Sequence, residues 1–345
     1  MSLRAGVIGL GVGFQHAVGL AQHPDCDLVA VCDRDSAKRA EARTRFPEVK
    51  IFETAEALLE ESELDLVCVA SYDDDHADQI LRALSLGRHV FAEKPLCVRP
   101  EETDEIRAAL ERHRHLRLSS NTVLRASPRF AGLKGEIDAG HLGRIYAIEG
   151  DYNYGRLEKL TEGWRGQIPH YSVMLGGGIH MADLLLWLTG QPVREVVALG
   201  NGLASAGSGF SGRDYAIALL QFDDGTIGKL SANFGCVEPH FHRLLVYGTE
   251  ATFENRRDRG HLWRSRAADA LPEEVATPYP GVEKHALLPS FVAAILHGSK
   301  PLVDETDVLN AMLLCHAIDR AIDSGYPAAV ESLQLERATL EPHHA

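Results

Sequence analysis

Through the first 122 residues, short apolar runs alternate with amphipathic stretches. Residues 5–10, 27–32, 64–70, 89–92 and 116–121 read as strands, each a compact apolar run bounded by turn or polar residues. Between them, residues 14–22, 36–45, 76–86 and 101–114 repeat their apolar positions at helical spacing, and Gly87 closes the third of these helices. Strands and helices in strict alternation predict βαβ units and a parallel sheet covered on both faces. The pattern changes near residue 123. A helix over 129–139 stops at Gly140, and then strands follow one another at 214–222, 226–234 and 241–248, with Asp223-Asp224-Gly225 as a hairpin turn. That run predicts an antiparallel sheet in an α+β second domain. Two further helices belong to it. One spans 179–189 and ends at Gly190 with Pro192 beyond. The other spans 304–324, ends at Gly325, and carries Ala311, Leu314, Cys315, Ile318 and Ile322 as an apolar stripe. Residues 200–212, rich in Gly, Ser and Ala, are expected to form a mobile loop, and 256–280 an irregular stretch. The division expected is 1–122 and 123–345.

Composition narrows the function more than the fold. With 45% hydrophobic and 24% charged residues the chain is a compact globular type rather than a disordered one. A formal net charge of -14 excludes nucleic acid and anionic membrane as natural partners of the average surface. Arg125, Arg129 and Arg144 remain available to draw in a small anion. No stretch approaches the ~20 apolar residues of a membrane span, so no membrane partner is expected. The six cysteines (26, 32, 68, 97, 236 and 315) form no CxxC pair and mostly lie in apolar runs, as buried thiols of a reducing compartment do. A cytoplasmic location is expected.

The candidate chemistry begins at Gly9-Leu10-Gly11-Val12-Gly13-Phe14, where the first strand turns into the first helix. Glycines there permit a tight turn and close approach of a diphosphate, and the helix N-terminus faces its charge. Phe14 stands where a third small residue is usual, so the helix–strand contact must be made another way. A lone GxG serves any tight turn, but Asp33 closes the second strand 24 residues after Gly9, where a carboxylate accepts from the adenosine ribose hydroxyls. Asp33 favours NAD; the neighbouring Arg34 keeps NADP open.

Further along stands Gly87-Arg88-His89-Val90-Phe91-Ala92-Glu93-Lys94-Pro95. Before it comes Ser71-Tyr72-Asp73-Asp74-Asp75-His76, and after it Asn121 to Arg125 with Pro128, then Gly140-His141-Leu142-Gly143-Arg144-Ile145. Together these resemble the Gfo/Idh/MocA family (glucose–fructose oxidoreductase, inositol dehydrogenase, rhizopine catabolism), matching its GKHVxxEKP, TPNxxH, N…R…P and GxLGxI segments over nearly the full length. Tyr72 and Asp73 depart from the second of these. The resemblance implies a Rossmann domain followed by an α+β domain with a large, mainly antiparallel open sheet. It implies that Lys94 lies beside the nicotinamide as a catalytic group, that Glu93 contacts the cofactor ribose, and that Ser71, His76 and Asn121 join the cofactor site. An ammonium there would stabilise the oxygen charge that develops during hydride transfer.

The family's second catalytic segment, roughly GGxxxDxGxHxxD, aligns with residues 170–183. His180 and Asp183 match it, but Gly176 stands where the family has an aspartate. His180, whose imidazole ordinarily titrates near about pH 6.5, is left as the proton carrier. Asp183 and Trp187 fall three and seven residues after His180, on one helical face, so Asp183 is a candidate to orient the ring. A helix-start charge is the plain alternative for it. Tyr171 and His170 are candidate replacements for the lost carboxylate. Gly176-Gly177-Gly178 could open space before the helix and offer backbone N–H groups to an anion, with Arg125, Arg129, Arg156 and Arg165 as counter-charges. Lys94, Arg125, Tyr171, Gly176, His180 and Asp183 make up the expected substrate site. His240-Phe241-His242, His113/His115 and His343-His344 lack the acidic or thiol partners of a recognisable metal site, so no metal is expected. The expected function is NAD(P)-dependent hydride transfer to or from a hydroxyl-bearing carbon of a sugar, polyol or derivative, including acidic or nucleotide-linked ones. The alternative is an NAD-binding sensor or scaffold without turnover. The second-domain sheet needs covering, which together with the resemblance implies a homodimer or homotetramer.

Overall fold

The computed structural model describes residues 2–61 and 63–335. Among these the chain forms two compact units, one of residues 2–122, 283–309 and 334–335, the other of 123–282 and 310–333. The expected second domain, continuous from 123 to 345, is therefore corrected. Residues 283–309 belong with the first unit, because its last strand needs them. Ser119 Oγ donates to the Val303 carbonyl at 2.9 Å and Leu118 N–H to Glu305 Oε1 at 2.8 Å. The ring of Phe291, on the helix Leu288–His297, lies 5.8 Å from that of Phe91.

The first unit holds six parallel strands: β1 (Leu3–Ile8), β2 (Cys26–Cys32), β3 (Lys50–Phe52), β4 (Leu66–Val69), β5 (His89–Ala92) and β6 (Leu118–Ser120). Their order is β3-β2-β1-β4-β5-β6, the doubly wound arrangement that places its switch point between β1 and β4. The interleaved helices are α1 (Gly13–Gln22), α2 (Ser36–Arg45), α3 (Ala55–Glu61), α4 (His76–Ser85) and α5 (Pro100–Arg112). The central strands are buried on both sides, as their unbroken apolar runs require. β3 and α3 escape the sequence reading. Three residues are too few to show a period, and α3 is short.

The second unit opens with α6 (Pro128–Asp138) and is built on a nine-stranded sheet. Its strands are β7 (Ile145–Asn153), β8 (Val193–Asn201), β9 (Tyr215–Phe222), β10 (Ile227–Asn233), β11 (Phe241–Gly248), β12 (Thr252–Asn255), β13 (Gly260–Trp263), β14 (Glu273–Val275) and β15 (Ala328–Ala329). The order is β14-β13-β12-β11-β7-β10-β9-β8-β15, antiparallel throughout except for the β7–β10 pair. The stretch 256–280 thus contributes two strands, against the irregular structure expected. The glycine-rich 200–212 loop is also knitted rather than loose: Asp214 Oδ2 accepts Ser205 N–H at 2.6 Å, and Asn201 Oδ1 accepts Leu203 N–H at 3.1 Å.

After a one-turn α7 (Glu158–Thr161), helix α8 (Ile179–Thr189) packs across β7. Gly150 makes the contact possible, since a Cβ there would stand 2.6 Å from Leu185 Cδ1 and 2.9 Å from Met181 Cε. The sheet's other face leaves Val197, Leu199, Leu219 and Ile227 exposed. Beside them Ser231 Oγ and Lys229 Nζ donate to Asp151.

Candidate functional site

The first unit shapes its site with backbone. Gly9 has φ +85°, and a Cβ on it would lie 2.4 Å from the Ala70 carbonyl oxygen, so this turn between β1 and α1 excludes every other residue. A Cβ on Gly11 would meet nothing nearer than Lys38 Nζ at 3.9 Å. A Cβ on Gly13 would stand 2.9 Å from Ala70 Cβ and 3.1 Å from Val7 Cγ1, so Gly13 supplies the close helix–strand contact one position before Phe14. Phe14 itself packs on Phe46, ring centres 5.6 Å apart. Helix α1 starts at Val12 without a side-chain cap and without an acid in its first turn. The Gln15 N–H bonds the Val12 carbonyl at 3.0 Å, and the end of the helix ahead of it faces an anionic ligand without an opposing side chain. Open space at Gly11 and an uncapped helix end fit a dinucleotide diphosphate.

Asp33 does more than the spacing implied. Its Oδ2 accepts the Leu10 N–H of the glycine turn at 2.7 Å, its Oδ1 the Asp35 N–H at 2.8 Å, and Lys38 Nζ lies 3.5 Å away. Each carboxylate oxygen accepts about two hydrogen bonds, which leaves room for ribose hydroxyls. Arg34 turns to Asp75, 3.1 Å away, across the loop that follows β4.

Glu93, just after β5, has Oε1 between His16 Nε2 at 2.9 Å and Asn121 Nδ2 at 2.7 Å. Burial alone would raise this carboxyl's pKa. The His16 hydrogen bond and charge, Lys94 and Asn121 outweigh it and hold the group at about 2. His16, fully buried on α1, is a site residue the sequence reading missed. Its signal was faint, a polar residue on the apolar face of a helix. His16 Nδ1 and Asn121 Oδ1 are buried without a protein partner, capacity that a nucleotide can use. Lys94 is joined to Pro95 by a cis peptide. The Pro95 carbonyl accepts His76 Nδ1 at 2.7 Å, and His76 Nε2 sits 3.3 Å from the Ser71 carbonyl. This buried ring fastens the β4 loop to the lysine's turn, which makes it a positioning residue rather than the cofactor contact expected. Ser71 Oγ donates to Gln79 Oε1 at 2.8 Å.

The second unit shapes its site with side chains. Asp183 on α8 is fully buried and gives its two oxygens to Arg125, at 2.9 Å from Nε and 2.7 Å from Nη2, while the Arg125 guanidinium lies 5.6 Å above the Trp187 ring. This corrects two expectations. Asp183 is committed to Arg125 rather than to turning the His180 ring, and Arg125 is not a counter-charge for substrate. Arg129 is likewise committed. Its guanidinium donates to Asn255 Oδ1 at 2.9 Å and to the Thr277 and Arg256 carbonyls at 3.0 and 2.8 Å.

Ahead of α8, residues Met174–Gly178 wind as a π-helix, a distortion frequent at functional sites. The three glycines open no space there, another correction. Cβ atoms on Gly176, Gly177 and Gly178 would meet Tyr171 Oη at 1.9 Å, Tyr152 Cε1 at 2.3 Å and Met174 Sδ at 2.6 Å. Nor do they form an anion-binding loop: Gly176 N–H donates to the Ser172 carbonyl at 2.9 Å.

His180 stands in an aromatic cluster. Its ring lies 5.9 Å from that of Tyr152 and 6.0 Å from that of His242. Tyr152 also touches Tyr154, Phe234 and His240. Tyr279 Oη accepts the His242 backbone N–H at 2.8 Å and lies 2.5 Å from His242 Nδ1. Burial pushes the Tyr152 and Tyr279 phenols well above their ordinary range. Tyr152, Tyr154, Phe234, His240, His242 and Tyr279 were all missed as site residues. The alternation in Tyr152/Tyr154 and in His240/His242 was the available signal. Among the described residues no group of three or more His, Cys, Asp or Glu could hold a metal ion, and His343-His344 lie outside them. No helix among them is long and apolar enough to cross a membrane.

A doubly wound sheet with a glycine turn at its switch point and an acid closing β2 defines a dinucleotide-binding protein, here with a second unit carrying histidines and tyrosines on its sheet. Comparison with known proteins narrows the class. The oxidoreductase family described as having an NAD-binding Rossmann fold matches residues 3–121, and the GFO/IDH/MocA C-terminal domain matches 130–254. The chain belongs to this family of oxidoreductases, and its cofactor is NAD. Myo-inositol 2-dehydrogenase of Thermotoga maritima is 23% identical over 96% of this chain and 99% of its own length. Scyllo-inositol 2-dehydrogenase (NAD(+)) of Bacillus subtilis is 25% identical over 95% and 96%. Among solved structures, scyllo-inositol dehydrogenase from Lactobacillus casei, with bound NAD(H) and scyllo-inositol, superposes with a TM-score of 0.77 at 20% identity, covering 95% of this chain and 99% of that one.

Proposed function

We propose that this chain is a dehydrogenase or reductase that moves hydride between NAD and a hydroxyl-bearing carbon of a sugar or polyol. The relatives, inositol dehydrogenases among them, support the substrate class. The observation that carries the reading is the corner Glu93-Lys94-Pro95, fixed on one side by His16 and Asn121 and on the other by His76. Such fixing holds a lysine in place before reaction, which is what electrostatic catalysis requires. Gly9, Gly11, Val12, Gly13 and Phe14 form the turn that receives the diphosphate. Asp33 takes the ribose, Arg34 bounds its far side, Ser71, Glu93 and Asn121 complete the cofactor wall, and His76 holds the Lys94 turn from behind. The bound nicotinamide supplies the place that hydride leaves or reaches. Lys94 stabilises the substrate oxygen, and His180 takes its proton in oxidation or returns it in reduction. Tyr171 and Gly176 shape the substrate side. An acidic or nucleotide-linked derivative is the finer form of this reading, with Arg156 and Arg165 as its counter-charges. The rival, a silent NAD-binding scaffold, draws on Gly176. It is disfavoured because a second polar group fills that place.

A cytoplasmic setting fits the six free thiols. Association into a homodimer or homotetramer would cover Val197, Leu199, Leu219 and Ile227; a monomer in light scattering at micromolar concentration rejects that part. The function is tested with Lys94→Ala. It should bind NAD as the wild type does and lose turnover of an identified polyol by about 10²- to 10³-fold. Unchanged turnover removes Lys94 from the chemistry.

A further inference from the structure

The helix Glu305–Ser324 holds the π-wound segment at two points. Cys315 Sγ donates to the Met174 carbonyl at 3.6 Å. Four residues on, and so on the same helical face, the Asp319 carboxylate is hydrogen-bonded to the Ser172 side chain. Ser172 stands just ahead of the winding, which runs from Val173 without a break into α8. Its Oγ accepts the Leu175 N–H at 3.2 Å and its carbonyl the Gly176 N–H at 2.9 Å, as a helix cap does. An ionised carboxylate only accepts, so the Ser172 hydroxyl donates to Asp319 while its lone pair holds Leu175. A continuous path results: carboxylate, hydroxyl, the first N–H groups of the winding, then one turn on to His180.

Asp319 holds this place at a cost. The groups bearing on it are the Ser172 hydroxyl, Cys315 and Asp323 on its own helix, and Arg213 ahead of β9. His316 and Arg320 stand three residues before it and one after it in the chain. Arg213 is bound to Asp323 at 2.5 Å. Burial pushes the Asp319 carboxyl from 3.8 up to about 6 against the Ser172 hydrogen bond, with Asp323 adding to the rise and Arg213 opposing it. An acid whose pKa is raised on folding binds more protons in the native state between those two values. Its ionisation therefore destabilises the fold as pH rises from 3.8, and the penalty is complete above about 6. A carboxylate kept under such a penalty points to a role other than holding the fold together.

We propose that Asp319 is a positioning residue for proton transfer: through Ser172, and together with Cys315, it fixes the π-wound segment that leads to His180. This rests on the reading of His180 as the proton carrier of a polyol dehydrogenase.

The test compares Asp319→Asn and Asp319→Ala with wild type in three measurements. In urea unfolding, Asp319→Asn should gain about tenfold or more in its folding constant at pH 8 and lose that advantage toward pH 4. A variant destabilised at pH 8 makes Asp319 a structural group and overturns the inference. In hydrogen exchange at pH 8, the Leu175 and Gly176 amides should open about threefold more often in Asp319→Asn, whose hydrogen bond is neutral, and about tenfold more often in Asp319→Ala. Exchange as in wild type in both variants overturns it as well. In steady-state oxidation of myo-inositol and of glucitol with NAD, kcat should fall by about the same factors with KM within about twofold. Faster exchange beside an unchanged kcat shows a held segment that does not serve His180, and overturns the positioning role. A wild type that oxidises neither probe counts against the polyol reading alone, since exchange and unfolding still decide whether Asp319 holds the segment.

Discussion

The two units build their halves of the chemistry from different materials. In the first, the glycine turn is backbone, and the side chains around it mostly hold backbone in place: Asp33 binds the Leu10 N–H, and His76 binds the Pro95 carbonyl. In the second, side chains meet side chains: Asp183 with Arg125, Tyr171 against Gly176, Tyr152 against His180, Tyr279 with His242. Backbone geometry around a common cofactor admits few solutions, because glycine alone adopts the φ of Gly9 beside Ala70. Side-chain clusters admit many.

The contrast is sharpest for two carboxylates, Asp183 and Glu93. Replacing Asp183 by Asn leaves Arg125 as a buried, unmatched charge. The expected cost is about 3–5 kcal/mol of stability, read as a lowered urea midpoint. A loss below about 1 kcal/mol, the range of exposed pairs, would mean that water reaches the pair and that the second site is softer than its packing indicates. Glu93 is held by neutral donors as well as charge. Its folded-state pKa of about 2 lies below the ordinary value of 4.5, so its contribution is fully present above pH 4.5 and lost as pH falls toward 2. Between pH 5 and pH 3 the wild type should lose about 2 kcal/mol more than Glu93→Gln in urea unfolding. Equal losses in the two proteins would show that His16 and Asn121 do not hold the carboxylate ionised.

The same contrast explains what could be read from the amino-acid sequence. The alternating strands and helices of the first unit, Gly9, Gly11 and Asp33 were legible because period and glycine spacing are local properties. Gly13 was legible as a glycine but not in its role, which depends on Ala70 and Val7 from other strands. The return of residues 283–309 to the first unit follows from the needs of β6, a long-range requirement with no local mark. In the second unit, His180 and Asp183 were singled out by pattern, yet the partner of Asp183 lies 58 residues away. Arg125 and Arg129 read as spare charges because burial is invisible in a list of residues. His240 and His242 were weighed only as metal ligands, and their packing against Tyr152 needed the β7–β11 register to appear.

The fit of Tyr171 against Gly176 also makes the two positions interdependent. Any side chain at 176 requires the Tyr171 ring to move, so the cost of a replacement at either position depends on the residue at the other.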